Sequence, residues 1–181
     1  GSYFSFERAN IIPDMVTIAK SISGSGLPMS LLLIKKEYDI WNPGEHNGTF
    51  RGNQLAFVTA KASLTYFNDE FFLNRVKELE QVVVDFCIEM NKTIGNIVQH
   101  RGIGLIHGLE FLNDCSASIS AKEVAKECFI QGLIIECCGR NNQVLKILPP
   151  LTISRDELIN GLNIIKNVVF NLSHVTLRKD D

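Results

Sequence analysis

Lys20 is a candidate reactive residue, because of its residue type and its position in the sequence. It follows the apolar run MVTIA and precedes the loop SISGSGLP, so it stands at the end of a predicted strand beside a glycine-rich turn. Partial desolvation there would disfavour the charged ammonium, and a neutral amine can attack an aldehyde to form a Schiff base. By position alone, a strand-end lysine that points into solvent is the more ordinary interpretation.

The residues around Lys20 favour the chemical interpretation. Class III (subgroup II) pyridoxal-phosphate aminotransferases have a segment in which an aspartate opens a strand, the cofactor lysine ends it and a Gly-x-Pro turn follows. Residues 13–34 resemble that segment, and the matching residues are Asp14, Lys20, Gly24, Gly26 and Pro28. The resemblance implies that Lys20 forms the Schiff base with pyridoxal phosphate. It also implies that the amine, once displaced by substrate, moves a proton between the substrate carbon and the cofactor carbon.

A second segment of the same family covers residues 46–60, which read HNGTFRGNQLAFVTA. It is similar to the family's loop in which a threonine binds the cofactor phosphate across a dimer interface, and Thr49 holds that position. Its hydroxyl and the neighbouring backbone N–H groups would donate to phosphate oxygens. The resemblance therefore implies a homodimer or a higher homo-oligomer. Taken alone, the segment also suits a plain turn followed by a helix cap.

Two later segments resemble the family's small C-terminal domain. They are RGIGLIHGLEF, residues 101–111, and VLKILPPLTIS, residues 144–154. Many members have Arg-x-x-Pro-Pro-Leu in the second segment, and that arginine takes a substrate carboxylate. Lys146 holds the arginine's position and supplies a point charge without the bidentate fork. Arg140 is the other candidate cation, with a solvated turn residue as its alternative interpretation.

The residues after Phe50 indicate a branch of the family. Common members read Gly-Gly-Asn-Pro there, whereas this sequence reads RGNQ from Arg51. Together with GEHNGTF and KILPPLTI, this resembles the diaminobutyrate–2-oxoglutarate aminotransferases, which include the enzymes that open ectoine biosynthesis. The implied reaction moves an amino group between glutamate and aspartate 4-semialdehyde, giving 2,4-diaminobutyrate and 2-oxoglutarate. Arg51 is a candidate cation for a substrate carboxylate, or else part of a salt bridge at the dimer interface.

Two alternatives stay open at this point. The chain could derive from another ω-amino-acid aminotransferase, acting on ornithine or 4-aminobutyrate, or it could be a non-catalytic oligomerisation or interaction module. The resemblance covers nearly the whole chain but less than half of the family's length. It implies that a phosphate-binding loop and the aspartate that pairs with the pyridinium nitrogen lie upstream of Tyr3. We expect that N-terminal half in cis or as another chain, and we expect the 181 residues alone to be inactive.

Composition limits the remaining classes of function. The formal net charge is −2 and hydrophobic residues make up 45% of the 181 residues, which suits a globular protein and argues against a nucleic-acid surface. No apolar run is long enough to span a membrane. The cysteine count is odd, there is no C-x-x-C pair and no metal-ligand spacing with histidine. We therefore expect no metal site, no structural disulfide and a reducing, cytoplasmic location. The cysteines are Cys87, Cys115, Cys128, Cys137 and Cys138.

The hydrophobic pattern predicts the elements that position these residues. The apolar stretches within residues 15–34 favour two buried strands, and a helix beginning near Asn53 should carry Leu55, Val58 and Leu64 into a core. Residues 70–98 predict a long amphipathic helix, whose apolar face is formed by Phe72, Val76, Leu79, Val83, Phe86, Met90, Ile94 and Ile97.

The rest of the sequence alternates strands and helices. Residues 100–112 predict a strand with a glycine bend. Capping boxes predict helix starts at Ser120, with Glu123, and at Ser154, with Glu157; Gly132 suits a C-terminal cap. Strands are predicted within residues 133–138 and 144–148. The helix that starts at Ser154 should continue along an apolar face formed by Leu158, Leu162, Ile165, Val169 and Leu172. The chain is therefore α/β, and the resemblance implies a fold-type I pyridoxal-phosphate transferase. Residues 1–75 would end the large cofactor-binding domain and residues 76–181 would form the small C-terminal domain.

Overall fold

The computed structural model describes residues 2–94, 98–112 and 119–177, so Ile97 and Cys115 lie outside the described residues. The chain divides into two compact units, Gly1–Leu73 and Asn74–Asp181. We describe each unit by itself. The assignment of the two halves to a cofactor domain and a small domain stays a prediction.

The first unit contains a two-stranded antiparallel sheet and one α-helix. Strands β1 (Met15–Ala19) and β2 (Ser30–Ile34) pair along their whole length. A short 3-10 helix, Lys20–Ser23, follows β1 directly, and α1 spans Gln54–Ser63. Three further 3-10 turns lie at Ser5–Ala9, Lys36–Tyr38 and Leu64–Asn68.

The open end of the β1–β2 hairpin is closed by the aspartate of the lysine segment. The backbone N–H of Lys35 donates to the Asp14 carbonyl over 3.0 Å, and Lys35 Nζ lies 2.6 Å from Asp14 Oδ1. The hydrogen bond from Lys35 to Asp14 raises the pKa of that lysine, against a smaller opposing effect of desolvation. Asp14 therefore fixes the start of the strand that ends at Lys20.

Two burial predictions for this unit are wrong. The strands are not buried: Met15, Leu32 and Leu33 are exposed, because a two-stranded sheet has no second layer over it within the unit. In α1, Leu55 is 69% exposed and Val58 is 68% exposed, and Leu64 also faces solvent. The buried face of α1 consists of Ala56 and Ala60 instead, one helical turn apart.

The second unit is built on a four-stranded antiparallel sheet in the order β3-β4-β6-β5. Its strands are β3 (Val98–Ile103), β4 (Ile106–Phe111), β5 (Glu136–Cys138) and β6 (Val144–Ile147). The single strand predicted for residues 100–112 is wrong, because Ile103 pairs with Ile106 across a two-residue turn. Gly104 in that turn has a φ of 59°, a left-handed conformation that glycine adopts without a Cβ clash.

The helices of this unit carry most of the predicted core. They are α2 (Glu70–Ile94, within this unit from Asn74), α3 (Ala121–Ile130) and α4 (Arg155–Leu177). Both predicted capping boxes are present: Glu123 N–H donates to Ser120 Oγ, and Glu157 N–H donates to Ser154 Oγ, each over 3.2 Å. Gly132 ends α3 at a φ of 85°. Buried residues of α2 and α4 confirm the predicted apolar faces, namely Val76, Leu79, Val83, Phe86, Met90, Leu158, Leu162, Ile165 and Val169.

Polar contacts tie the long helix to the rest of this unit. The Arg75 guanidinium donates to the carbonyls of Leu151, Thr152 and Ile153, which form the loop before α4. Glu80 accepts from the Gly104 N–H over 2.7 Å and so holds the β3–β4 turn. No helix among the described residues combines the length and the apolar composition needed to cross a bilayer.

Candidate functional site

Lys20 lines an open cleft of about 960 Å³ in the first unit. The cleft is bordered by the end of β1, by the segment Gly26 to Leu32 and by the loop residues His46 and Phe50 to Asn53. Within the described residues, Lys20 forms no hydrogen bond and no ion pair. The amine is therefore available to a ligand in the cleft. The expected desolvation is wrong for this chain, since Lys20 is exposed.

The backbone at Lys20 is in an unusual conformation. Its φ is 62°, in the left-handed region that residues with a Cβ rarely adopt, at a cost of about 1–2 kcal/mol. The turn from extended Ala19 into the 3-10 helix requires it. Such outliers cluster at functional sites because the surrounding structure has to impose them. This geometry is an independent reason to single out Lys20.

The glycine after the 3-10 helix brings that turn against α1. Gly24 has a φ of 71°, and its N–H donates to the Ser21 carbonyl over 2.9 Å. A Cβ on Gly24 would lie only 2.5 Å from the Ser63 Cβ. Ser25 Oγ also donates to Thr59 Oγ1 over 3.1 Å. The loop after Lys20 thus packs directly on α1, the helix that begins within the second family segment.

Arg51 faces the same cleft and is held by its own loop. Its guanidinium donates to the His46 carbonyl over 2.9 Å and to His46 Nδ1 over 3.0 Å. Trp41 stacks on the His46 ring, with centroids 4.8 Å apart. Within the described residues, Arg51 forms no salt bridge, so its charge is not neutralised by a carboxylate. The structure therefore brings Lys20 and Arg51 to one cleft, and His46 and Trp41 are supporting residues that the sequence did not single out.

Thr49 is not among the residues that line the cleft. It is exposed, in a turn closed by the hydrogen bond from Arg51 N–H to the Gly48 carbonyl. Phe50 beside it is completely exposed. Asn53 caps α1 by accepting from the Leu55 and Ala56 N–H groups. An exposed Thr49 suits a group that acts on a neighbouring molecule.

The two cations predicted in the second unit differ in availability. Lys146 on β6 pairs with Glu136 directly opposite on β5, with 2.5 Å between Nζ and Oε1, so that pair must open before Lys146 can meet another carboxylate. Lys146 also borders an apolar cavity of about 490 Å³. Arg140 is exposed in the β5–β6 turn, without an ion pair among the described residues.

A cluster in the second unit was missed at the sequence level. The buried Cys87 of α2 lies close to His100 of β3 and His107 of β4. The two histidines are seven residues apart in sequence, but the hairpin pairs His100 with Leu109 and so places His107 diagonally across on the same face. A hairpin prediction in place of one bent strand would have brought them together.

Comparison with known proteins decides the family. The model of the family described as aminotransferase class III matches residues 1–169. This chain belongs to the class III aminotransferases. The diaminobutyrate–2-oxoglutarate transaminase of Streptomyces avermitilis is 46% identical over 175 residues, which is 93% of this chain and 40% of that protein. The protein of the same name from Vibrio parahaemolyticus is 44% identical over 173 residues, which is again 93% of this chain and 40% of that protein. The chain thus spans about 40% of the length of these curated relatives.

Solved structures confirm the fold class. The N-acetylornithine aminotransferase from Stenotrophomonas maltophilia superposes with a TM-score of 0.79 at 24% identity, over 96% of this chain and 44% of that one. A Bacillus anthracis aminotransferase gives a TM-score of 0.74 at 29% identity, over 92% of this chain and 40% of that one. The mixed α/β chain therefore has the fold of a part of the class III aminotransferases, which depend on pyridoxal phosphate.

The cleft fits that cofactor as far as this chain contributes to it. An aldehyde needs a primary amine without a competing partner, and Lys20 provides one at a cleft large enough for a small ligand. The cofactor's anionic phosphate needs donors, and Asn53 and the backbone of the Gly26 segment border the same space.

Proposed function

We propose that this chain is part of a pyridoxal-phosphate-dependent transaminase of the diaminobutyrate–2-oxoglutarate type, with Lys20 as the residue that holds the cofactor. The observation that carries the proposal is the position of Lys20, whose amine has no partner among the described residues and whose backbone is left-handed at the edge of the cleft. The family match and the relatives named above support the reaction type. The proposed reaction transfers an amino group between glutamate and aspartate 4-semialdehyde.

Lys20 has two tasks in this proposal. Its Nζ would bind the cofactor covalently between turnovers and, once substrate has displaced it, would take the proton from the substrate's reacting carbon and deliver it to the cofactor's reacting carbon. When bound, the cofactor supplies the electron sink that makes loss of that proton feasible. The rigid turn Lys20–Ser23, seated on α1 through Gly24, keeps the amine within reach of both carbons.

Cations of this chain hold the substrates. Both proposed substrates carry a carboxylate, and Arg51 is a cation that borders the cleft together with Lys20. His46 fixes its guanidinium and leaves its charge without a carboxylate partner among the described residues. Arg140 is a second candidate. Lys146 is a weaker candidate because Glu136 already neutralises it.

Thr49 is proposed to act on a neighbouring subunit. Thr49 is exposed and does not line the cleft, although Phe50 and Arg51 of the same turn do, so its hydroxyl would donate to the cofactor phosphate bound by a second copy, in a cytoplasmic homodimer or a higher homo-oligomer. The rest of the cofactor's surroundings would come from the part of the relatives' length that this chain does not span, in cis or as another chain.

The first test measures labelling of Lys20. Pyridoxal phosphate is added to the 181-residue chain and to any longer product of the same gene, the adduct is fixed by borohydride reduction, and peptides are weighed by mass spectrometry. We expect modification at Lys20 at least about tenfold above that at Lys36, an exposed lysine outside the cleft. Lys20→Ala should remove the modification and Lys36→Ala should not. Equal labelling of the two lysines would contradict the proposal.

The second test separates the substrate classes. The longer protein is assayed with 2-oxoglutarate and diaminobutyrate, ornithine or 4-aminobutyrate, because solved ornithine aminotransferases also share this fold, with a TM-score of 0.77 at 25% identity for one from Plasmodium yoelii. We expect kcat/KM for diaminobutyrate to exceed the others by about tenfold or more. Equal kcat/KM values for the three amino donors would contradict the proposed substrate but not the family assignment. No turnover of any donor would favour a non-catalytic module.

A further inference from the structure

The cluster in the second unit joins three elements through three potential ligand atoms. Cys87 Sγ from α2 and one ring nitrogen each of His100 on β3 and His107 on β4 all lie within 4.8 Å of one another. His100 Nε2 is 2.8 Å from His107 Nδ1. Cys87 is fully buried, His107 is 1% exposed and His100 is half-buried. The cluster belongs to the second unit, whereas the cleft of Lys20 belongs to the first.

We propose that Cys87, His100 and His107 bind a Zn²⁺ ion. One thiolate and two imidazoles form a ligand set that this borderline-soft ion prefers. Ligand atoms around tetrahedral zinc lie roughly 3.3–3.6 Å apart, as follows from Zn–N and Zn–S bonds of about 2.05 and 2.3 Å. The histidine nitrogens would have to part by about half an ångström to admit the ion. A solvent molecule would fill the fourth position.

The surroundings of His107 fix its ring in the orientation that a ligand needs. Its Nε2–H donates to the Gly104 carbonyl over 2.7 Å, which leaves Nδ1 as the nitrogen that faces the cluster. A backbone carbonyl on the far ring nitrogen is a common support for metal-bound histidine. Gly104 is held in turn by Glu80 of α2. A Cβ on Gly102 would lie 2.3 Å from His107 Nδ1, so glycine there gives the ring its space.

Binding would release one proton. A thiol must lose its proton to bind zinc, and an ordinary cysteine thiol is protonated at pH 7. The proton between the two rings sits on His100 Nε2, because His107 Nδ1 is the acceptor. When zinc binds, that proton moves to His100 Nδ1 and the thiol proton leaves to solvent.

The ion would connect α2 to the β3–β4 hairpin. The alternative is a hydrogen-bonded histidine pair beside a core cysteine, with no metal. To separate the two, the chain is stripped with a chelator and titrated with ZnCl₂, and with CoCl₂ as a coloured probe. We expect one Zn²⁺ per chain. Co²⁺ should give visible absorption and a thiolate-to-metal charge-transfer band, and each zinc bound should release one proton.

Two variants and a control test the ligands. Cys87→Ser should abolish the charge-transfer band, and His100→Gln should weaken zinc binding at least about 100-fold. Cys128→Ala is the matched control, because Cys128 is equally buried but lies on α3 outside the cluster, and it should bind as the parent does. Less than about one-tenth of an equivalent bound by the parent chain, or unchanged binding by Cys87→Ser, would overturn the proposal.

Discussion

At the scale of single residues, backbone conformation marks the site more clearly than side-chain burial does. Lys20 is exposed, yet its φ of 62° shows that the turn after β1 imposes its geometry. Gly24 makes that turn possible in two ways, through its own left-handed φ and through its close approach to Ser63. The position of the Lys20 amine thus depends on a residue without a side chain.

Gly24→Ala should separate the Lys20 turn from α1. The variant combines left-handed strain of about 1–2 kcal/mol with a Cβ 2.5 Å from another Cβ. Gly26→Ala is the matched control, since Gly26 has a similar φ of 77° but open space around it. We expect amide hydrogen exchange in residues 54–63 to quicken at least about tenfold more in Gly24→Ala than in Gly26→Ala. The same acceleration in both variants would mean that backbone strain alone matters.

At the scale of elements, local sequence signals set the helix ends while pairing set the strands. Both serine–glutamate capping boxes lie where the sequence predicts them, because they satisfy N–H groups within four residues. The β3–β4 hairpin was missed because its two-residue turn reads GL, with glycine first and no second turn residue. Because the hairpin was not predicted, the proximity of His100 to His107 was not predicted either.

Ser154→Ala should destabilise the chain by about 1 kcal/mol, because it removes the acceptor for the Glu157 N–H at the start of α4. Ser173→Ala in the same helix, where the hydroxyl donates to the Phe170 carbonyl, should change stability by less than about 0.5 kcal/mol. Urea unfolding followed by helical circular dichroism measures both. Equal losses would show that the cap contributes nothing specific.

The same cap should respond to pH. Hydrogen bonds from the Ser154 hydroxyl and backbone lower the pKa of Glu157 below its ordinary value of 4.5. A carboxylate with a depressed folded pKa contributes stability above the unfolded value and loses it as the pH falls through the folded pKa. The difference in the free energy of unfolding between the parent chain and Ser154→Ala should therefore be largest at pH 7 and should decrease below about pH 4.

At the scale of the whole molecule, the two units differ in how much they bury. Among the described residues of the first unit, only Ser23, Ala56 and Ala60 are buried, whereas the second unit holds the other buried residues of the chain. The first unit also exposes large apolar side chains, including Ile12, Ile40 and Phe50. Such surface is typical of a segment that packs against further protein. We propose that this apolar surface is covered by a segment equivalent to the part of the relatives that this chain does not span, or by a second copy of the chain.

Limited proteolysis of the 181-residue chain should cut the first unit before the second. Local unfolding needs less free energy where few apolar contacts form, so sites within residues 2–73 should open first. Mass spectrometry of early fragments gives the order of cleavage. We expect a protease-resistant product that contains residues 98–112 and 119–173. Early cleavage within these residues would contradict the prediction that the second unit is the more stable one.

The sequence by itself determined the family segments, the helix caps and the periodic faces of α2 and α4, because these depend on residues close together in the chain, and it singled out Lys20 for the role proposed above. It also predicted the outline of an α/β fold. Burial in the first unit came out wrong, since a hydrophobic pattern says which side can be buried but not whether another layer is present to bury it. Only the tertiary structure decided that Arg51 shares a cleft with Lys20, that Lys146 is paired with Glu136, and that Cys87 meets two histidines. Each of these contacts joins residues from separate elements, and only the packing of those elements sets the distance between them.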